Sequence, residues 1–193
     1  MYEAVLLAGG KSRRMGRDKL SLPQGGTTVL QAAVKRFSEK FHKVYISVND
    51  KNRYADIDAP KIEDIFKDCG PLGGLHAALS KAEGEGVFLA ASDLPFSSPE
   101  AALFIIEKSA GYDICITEDR DGRFEPLFGF YRKTVLNTAE ELLKCGTYKM
   151  TELFKRHSVL VLTPEDMGEH WKAESFENMN YPEDFDRLLG KMC

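Results

Sequence analysis

The chain has 193 residues, of which 43% are hydrophobic and 29% are charged, and its formal net charge is -4. This length is enough for one hydrophobic core and short for two, so we expect a single domain over residues 1–193. The acidic balance excludes a general nucleic-acid binder. The longest apolar runs, at 87–91 and 101–106, are far shorter than the roughly 20 residues that a membrane span needs.

The N-terminal residues and the cysteines favour a cytoplasmic protein. The chain opens directly on a strand pattern and shows neither the charged nor the apolar region of a secretory signal. Its four cysteines are widely spaced, and none of them forms a CxxC pair. We therefore expect reduced thiols in a reducing compartment.

Apolar runs alternate with helical patterns in the first half of the chain, which is typical of a βαβ architecture. Thr28 with Gln31 forms a predicted capping box, and Ser98 before Pro99 is a typical helix start. We predict helices from residue 28, over 75–82 and from 99 to about 109. We predict strands at residues 4–8, 44–48, 61–63, 86–91 and 112–117.

The second half of the chain adds an antiparallel piece to the sheet. Asp121-Gly122 is a hairpin signal, after which a strand returns over residues 124–131. The remaining predicted elements are helices at 134–144 and 149–155, strands at 159–162 and 175–179, and a terminal helix from about Pro182. The expected fold class is α/β, a three-layer α/β/α Rossmann-like fold whose mixed central sheet is mostly parallel.

A glycine-rich, strongly basic loop follows the first predicted strand. Residues 7–19 read LAGGKSRRMGRDK and contain five cations against one acid. A P-loop ending in GKS would need glycine at position 5, where Val5 stands, and the chain has no GxGxxG. Glycines after a strand let backbone N–H groups approach an anion that nearby cations neutralise. The loop is thus either a triphosphate site or a solvated basic turn.

Four stretches carry a resemblance to a known family. Residues 7–19, with the pattern LAGGxSxRMGxDK, resemble the signature of nucleotidyltransferases that activate small phosphates. With GPLGGL at 70–75, SDLPF at 92–96 and NMNYPED at 178–184, the chain is most similar to the molybdenum cofactor guanylyltransferases. These matches follow the family's order through nearly the whole chain. The resemblance implies a nucleotidyltransferase fold and an enzyme.

Three residues are expected to handle phosphate chemistry. Asp93 follows the apolar strand at 86–91, at the sheet edge where α/β proteins bind ligands. The resemblance makes Asp93 a ligand of Mg²⁺, whereas the residue pattern alone also fits a turn-capping aspartate before a proline. It assigns Lys19 and Arg14 to the phosphates, and Asp18 is either a partner that orients Lys19 or a local charge balance.

The resemblance also supplies the remaining nucleotide-binding residues, which are Leu7, Ala8, Gly9, Gly10, Asn49 and Asp64. Asn49 and Asp64 each follow a predicted strand, so both are expected at the same sheet edge. A carboxylate such as Asp64 suits the paired donors of guanine, although a turn role competes for both residues. The glycines at 70–74 either let a ligand approach a helix start or serve close packing.

Further residues are candidates for the acidic pterin. Asn178 and Asn180 would share one face of a strand, although Asn180 also fits a helix cap. Lys149 and Arg156 are additional candidates. The four histidines have no ligand spacing, so no zinc site is expected.

The reaction that the resemblance implies is transfer of GMP from GTP to the terminal phosphate of Mo-molybdopterin, with Mg²⁺ as cofactor and pyrophosphate as by-product. Cofactor-delivery proteins and molybdoenzyme chaperones are possible partners, and nucleic acid is not. Two alternatives stay open. One is another nucleotidyltransferase of the superfamily, using CTP or a sugar phosphate, and the other is a GTP-binding sensor or carrier without transferase activity.

Overall fold

A central seven-stranded sheet organises the chain. The computed structural model describes residues 2–10, 18–24, 26–176 and 184. In these residues the strands are β1 (Glu3–Leu7), β2 (Pro23–Gln24), β3 (Thr27–Thr28), β4 (Lys43–Val48), β5 (Lys61–Glu63), β6 (Gly86–Ala91), β7 (Ile114–Glu118), β8 (Phe124–Arg132) and β9 (Val159–Leu162). The central sheet has the order β5-β4-β1-β6-β8-β7-β9, and β2 pairs with β3 in a separate small ribbon.

The sheet is mostly parallel and changes direction at one strand. β8 pairs antiparallel with both β6 and β7, while the other pairs in the central sheet are parallel. The turn that leads into β8 is the predicted hairpin: Asp119 N donates to Arg123 O at 2.9 Å, and Gly122 takes a φ of 73°. The α/β fold class with a mixed sheet is therefore confirmed.

Helices cover both faces of the sheet, which gives the three layers. The helices are α1 (Val29–Ser38), α2 (Gly70–Lys81), α3 (Pro99–Lys108), α4 (Leu136–Lys144) and the short α5 (Pro164–Met167). On β1, Ala4 and Leu6 face the core beneath α1 and α3, whereas Val5 faces the core beneath α2 and α4. This alternation follows from the period of two along a strand.

Local signals set two helix starts as expected. The Thr28 hydroxyl accepts from Gln31 N at 3.2 Å, and the Gln31 side chain accepts from Thr28 N at 2.9 Å, which completes the capping box. Ser98 caps α3 through Ala101 N at 3.2 Å.

Two expected elements were wrong in part. The helix expected at 75–82 begins at Gly70, so the glycine-rich stretch is helical and not a loop. The strand expected at 175–179 is contradicted at its start, because a 3-10 turn spans Ala173–Phe176. There Ser175 Oγ donates to Phe96 O, and Phe176 stacks on Trp171, so packing of aromatic rings overrides the strand pattern.

Most of the predicted C-terminal elements lie outside the described residues. Residues 177–179 and the terminal helix expected from Pro182 lie outside the described residues, except for Asp184, which is helical. Among the described residues, no helix combines the length and the apolar character needed to cross a membrane.

The topology creates one switch point. From β1 the chain moves outward to β4 and β5, and then crosses back to place β6 on the other side of β1. The carboxyl ends of these four parallel strands lie at one sheet edge. Ligands of open α/β sheets bind at such a point.

We predict that Thr28→Ala lowers the free energy of unfolding by about 1 kcal/mol, because it removes the cap of α1. Urea denaturation should show a lower midpoint at an unchanged m-value. Thr27→Ala, which removes the neighbouring exposed hydroxyl, is the control and should change the midpoint less. Equal midpoints for the two variants would contradict the capping role.

Candidate active site

A cleft of about 560 Å³ opens at the switch point. It lies beyond the carboxyl ends of the parallel strands and next to the start of α2. Its lining comprises Leu7, Gly9, Gly10, Lys19, Leu20, Ser47, Asn49, Asp64, Asp68, Gly70, Pro71, Gly74, Ala91, Asp93 and Leu127. Nearly all of the described residues predicted to bind nucleotide are in this set.

A short ion pair in the cleft joins Lys19 to Asp93. Lys19 Nζ lies 2.6 Å from Asp93 Oδ2, and the two side chains are only 15% and 22% exposed. Asp93 lies just past β6, in a turn where Leu94 N donates to Ala91 O at 3.3 Å. Lys19 begins the 3-10 turn Lys19–Ser21. The two predicted phosphate-site residues thus meet, although 74 positions separate them in the sequence.

The end of β4 is tied to the loop after β1. Asn49 Nδ2 donates to Gly9 O at 2.7 Å. A Cβ on Gly9 would lie 3.1 Å from Asn49 Oδ1, so a side chain there would crowd this contact. Asn49 lines the cleft as expected, and its amide also holds the loop in place.

Backbone groups before this loop are used within the sheet. Ala8 N donates to Ser47 O at 2.9 Å, and Leu7 O accepts from Ser92 N at 3.2 Å. The Ala8 side chain is fully buried in the core, and Ala8 is absent from the cleft lining.

A buried polar pair forms the other end of the cleft. Ser47 Oγ donates to Asp64 Oδ1 at 3.1 Å, and Asp64 is only 6% exposed. Burial raises the pKa of Asp64, and the hydrogen bond from Ser47 and the charge of Lys67 offset part of that effect. A carboxylate that accepts one internal hydrogen bond retains lone pairs for a ligand with two donors.

The glycines of α2 explain how this pair is enclosed. A Cβ on Gly74 would lie 2.6 Å from Leu7 Cδ2 and 2.9 Å from Ser47 Oγ. A Cβ on Gly73 would lie 2.9 Å from Phe66 O. Gly74 lets α2 pack closely on β1 and β4, and Gly73 lets it pack against the loop after β5, which supports the packing interpretation of this stretch.

Several predicted residues fall elsewhere. Arg14, Asn178 and Asn180 lie outside the described residues. Lys149 is exposed and does not line the cleft. Arg156 forms a surface ion pair with Glu141 at 3.2 Å.

Sequence reasoning missed some cleft residues. Ser47 follows Tyr45 by two positions in β4, so strand alternation alone places it on the α2 face. Leu127 comes from β8 and depends on the antiparallel pairing. Glu125, on the same strand but not in the cleft lining, has a raised pKa because of burial and because of the charges of Asp119 and Asp93.

The cleft does not form a protein-only metal cage. Among the residues that the structure describes, no group of three or more His, Cys, Asp or Glu side chains is arranged to hold a metal ion. A single carboxylate at the end of β6 fits Mg²⁺ only in combination with oxygens of a substrate and water.

An α/β sheet with its cleft at the switch point, a glycine-rich loop after β1 and a lysine–carboxylate pair across the cleft define a nucleotidyltransferase. The sequence profile of the MobA-like NTP transferase domain matches residues 4–160. The chain belongs to this family.

Curated and solved relatives agree with that assignment. The chain is 32% identical to the probable molybdenum cofactor guanylyltransferase of Carboxydothermus hydrogenoformans, over 96% of this chain and 93% of the relative. It is also similar to molybdopterin-guanine dinucleotide biosynthesis protein A of Archaeoglobus fulgidus, with a TM-score of 0.85 at 25% identity and 98% coverage of both chains.

A cytidylyl enzyme shares the fold. The 4-diphosphocytidyl-2C-methyl-D-erythritol synthase of Anaerococcus prevotii has a TM-score of 0.72 at 16% identity, covering 100% of this chain and 98% of its own. This likeness concerns the fold alone.

We predict that Asp64→Asn raises the melting temperature at neutral pH, because it removes a buried charge and keeps an oxygen for Ser47. The folded protein retains the Asp64 proton above the ordinary pKa of 3.8, so the ionisation penalty is absent below that value and complete above the raised pKa. The difference in melting temperature between the variant and the wild type should therefore grow as pH rises from about 4 and then level off. Each 1 kcal/mol of difference in the free energy of unfolding should shift the melting temperature by about 2–4 °C.

Thermal unfolding measured between pH 4 and 8 checks this expectation. Asp58→Asn, at an exposed carboxylate, is the matched control and should show no such trend. A gap that narrows with rising pH would contradict the burial of a charged Asp64.

Proposed function

We propose that the protein transfers GMP from GTP to the terminal phosphate of Mo-molybdopterin and releases pyrophosphate. The observation that carries the proposal is the Lys19–Asp93 pair at the mouth of a cleft whose opposite end holds the buried Asp64. The similarity to a probable molybdenum cofactor guanylyltransferase supports the same reaction.

The strand order sets the distance between the two ends. Asp64 follows β5 and Asp93 follows β6, so three strand spacings separate them, or roughly 14 Å at about 4.8 Å each. A nucleotide can span this distance with its base at Asp64 and its phosphates near Asp93. The Asp64 carboxylate would accept hydrogen bonds from N1–H and the 2-amino group of guanine.

The reaction needs no general base from the protein. The nucleophile is a phosphate oxygen that is already anionic near neutral pH. It forms a new bond to the α-phosphorus of GTP, and the bond from that phosphorus to the bridging oxygen of the β-phosphate breaks. Catalysis is positioning and charge neutralisation, as in phosphoryl transfer generally.

Lys19 supplies the mobile positive charge. Its ammonium lies in the cleft beside Asp93. When GTP binds, this ammonium moves from Asp93 to the phosphates. Arg14, in the same glycine-rich loop, is a second proposed phosphate ligand. Leu7, Ala8, Gly9, Gly10 and Asn49 are proposed to shape the nucleotide side of the loop.

Mg²⁺ is the proposed cofactor, and Asp93 would hold it. The donor set fits, because Mg²⁺ binds through one or two carboxylates with substrate phosphates and keeps several waters. When bound, the ion neutralises phosphate charge. The pairing of Asp93 with an ammonium already shows that this carboxylate accepts a cation at short distance.

Three polar or basic residues are proposed for the acceptor side of the reaction. Lys149, Asn178 and Asn180 are proposed to contact the pterin or its phosphate. We place the reaction in the cytoplasm, with delivery proteins for the pterin and molybdoenzyme chaperones as proposed partners.

We predict that Asp93→Asn lowers turnover by at least about 10³-fold, because the amide cannot hold the metal and leaves Lys19 without its counter-charge. Lys19→Ala should lower kcat/KM by about 10²–10³-fold, or about 3–4 kcal/mol. Pyrophosphate release with Mg²⁺ and the pterin acceptor measures both. Asp121→Asn, on the exposed hairpin, is the control, and near-normal turnover by Asp93→Asn would sink the metal assignment.

We predict that GTP binds more tightly than CTP, ATP or UTP in calorimetry with Mg²⁺. The preference should weaken in Asp64→Ala, since the buried acceptor of the guanine donors is lost. A preference for CTP would move the protein to the cytidylyl branch and leave the phosphate site intact.

A further inference from the structure

Three side chains outside the cleft lining form a closed hydrogen-bonded group. Arg53 Nη2 lies 2.8 Å from Asp18 Oδ2, and Tyr54 OH donates to the same oxygen at 2.8 Å. Arg53 Nη2 also donates to Tyr54 OH at 2.8 Å. The side chains of Arg53 and Asp18 are 30% and 31% exposed, so water screens this pair only in part.

The same carboxylate holds the turn that carries Lys19. Asp18 Oδ1 accepts from Leu20 N at 3.1 Å, which caps the 3-10 turn Lys19–Ser21. One Asp18 oxygen therefore fixes the backbone of this turn, and the other is fixed by Arg53 and Tyr54. Burial alone would raise the pKa of Asp18, but the hydrogen bonds from Arg53 and Tyr54 hold it below its ordinary value.

Arg53, in the segment after β4, also contacts the start of the glycine-rich loop. Arg53 Nη1 lies 3.5 Å from Gly10 O, a weak contact with the residue just before that stretch of loop. Arg53 thus contacts both Gly10 and Asp18, the residues that come directly before and directly after residues 11–17 in the sequence.

The backbone of this segment is held in an unusual conformation. Tyr54 has a φ of 55°, a left-handed value that residues other than glycine rarely adopt. The Arg53 guanidinium lies 4.9 Å from the centre of the Tyr54 ring. Such a conformation persists when its contacts over-determine it. Here Ile57 N donates to Tyr54 O at 3.0 Å, the ring packs against the core, and the hydroxyl donates to Asp18.

We propose that Arg53 and Tyr54 are positioning residues that act through Asp18 to set the place of the Lys19 ammonium against Asp93 and the nucleotide phosphates. This inference rests on the proposed function for the identity of the substrate. Arg53 does not need to touch the phosphates, because its guanidinium is already engaged by Asp18, Tyr54 and Gly10.

The test compares Arg53→Gln, Tyr54→Phe and Asp18→Asn with the wild type. Each variant should lower kcat by about 10–100-fold, with a smaller change in KM for GTP. The reason is that a displaced Lys19 ammonium no longer lies where the transition state needs it. The effects of Arg53→Gln and Asp18→Asn should be strongly non-additive in the double variant, because both remove one interaction. Arg53→Lys should rescue little, since an ammonium cannot form the same fork.

Lys51→Gln is the matched control. It removes a cation from the same segment that is 68% exposed and 3.8 Å from Glu63, with no contact to Asp18. Its kcat should stay within about two-fold of the wild type. Tyr54→Phe removes only a hydroxyl, so it tests the group without emptying the ring site.

Two results would overturn the inference while the proposed function stands. One is turnover by all three variants at the level of Lys51→Gln. The other is an Arg53→Gln effect that persists in full in the Asp18→Asn background or is rescued by Arg53→Lys, since either means that Arg53 acts on the phosphates directly.

If the wild type does not transfer GMP, the proposed function is wrong, and the positioning role is then tested by calorimetry of GTP binding. In that case Arg53→Gln should still weaken GTP binding, and the effect should disappear in the Lys19→Ala background. A full effect in that background, or a wild type that does not bind GTP, would overturn the positioning role as well.

Discussion

The parallel pairing of β1 with β4 on one side and β6 on the other brings together the strand ends that carry the charged residues of the cleft. Leu6 stands opposite Ile46 in one neighbour and Ala90 in the other, with buried side chains throughout. Since three strands end together, the loops that leave them converge. Lys19 and Asp93 meet because of this register, not because of any local preference of their own segments.

The cleft separates two kinds of chemistry along its length. At the β6 end, the Lys19–Asp93 pair is largely buried, so water screens its charges only in part. At the β5 end, Asp64 is buried against Ser47 and keeps a raised pKa. One end is suited to an anion with its counter-cation, and the other to a neutral base that donates hydrogen bonds.

The sequence predicted the elements that depend on local chemistry. The α1 capping box at Thr28 and strand β6 were correct, since caps and apolar runs act within a few residues. Contacts that depend on long-range register were not visible. The segment after β4 has no pattern that indicates a hydrogen bond from Arg53 to Asp18, and Gly74 could be understood only once α2 was seen against Leu7. The strand expected at 175–179 was wrong at residues 175–176, because aromatic packing outweighed the strand pattern there.

The most direct test of guanylyl transfer follows the α-phosphate. Wild-type protein would be incubated with GTP labelled at the α-phosphorus, Mg²⁺ and Mo-molybdopterin, and the label would be traced. We expect the label to appear in a pterin–guanine dinucleotide, with one pyrophosphate released for each GTP consumed and no label on the protein. Label that ends in free GMP or on the protein, or a dinucleotide that forms from CTP as readily, would contradict it.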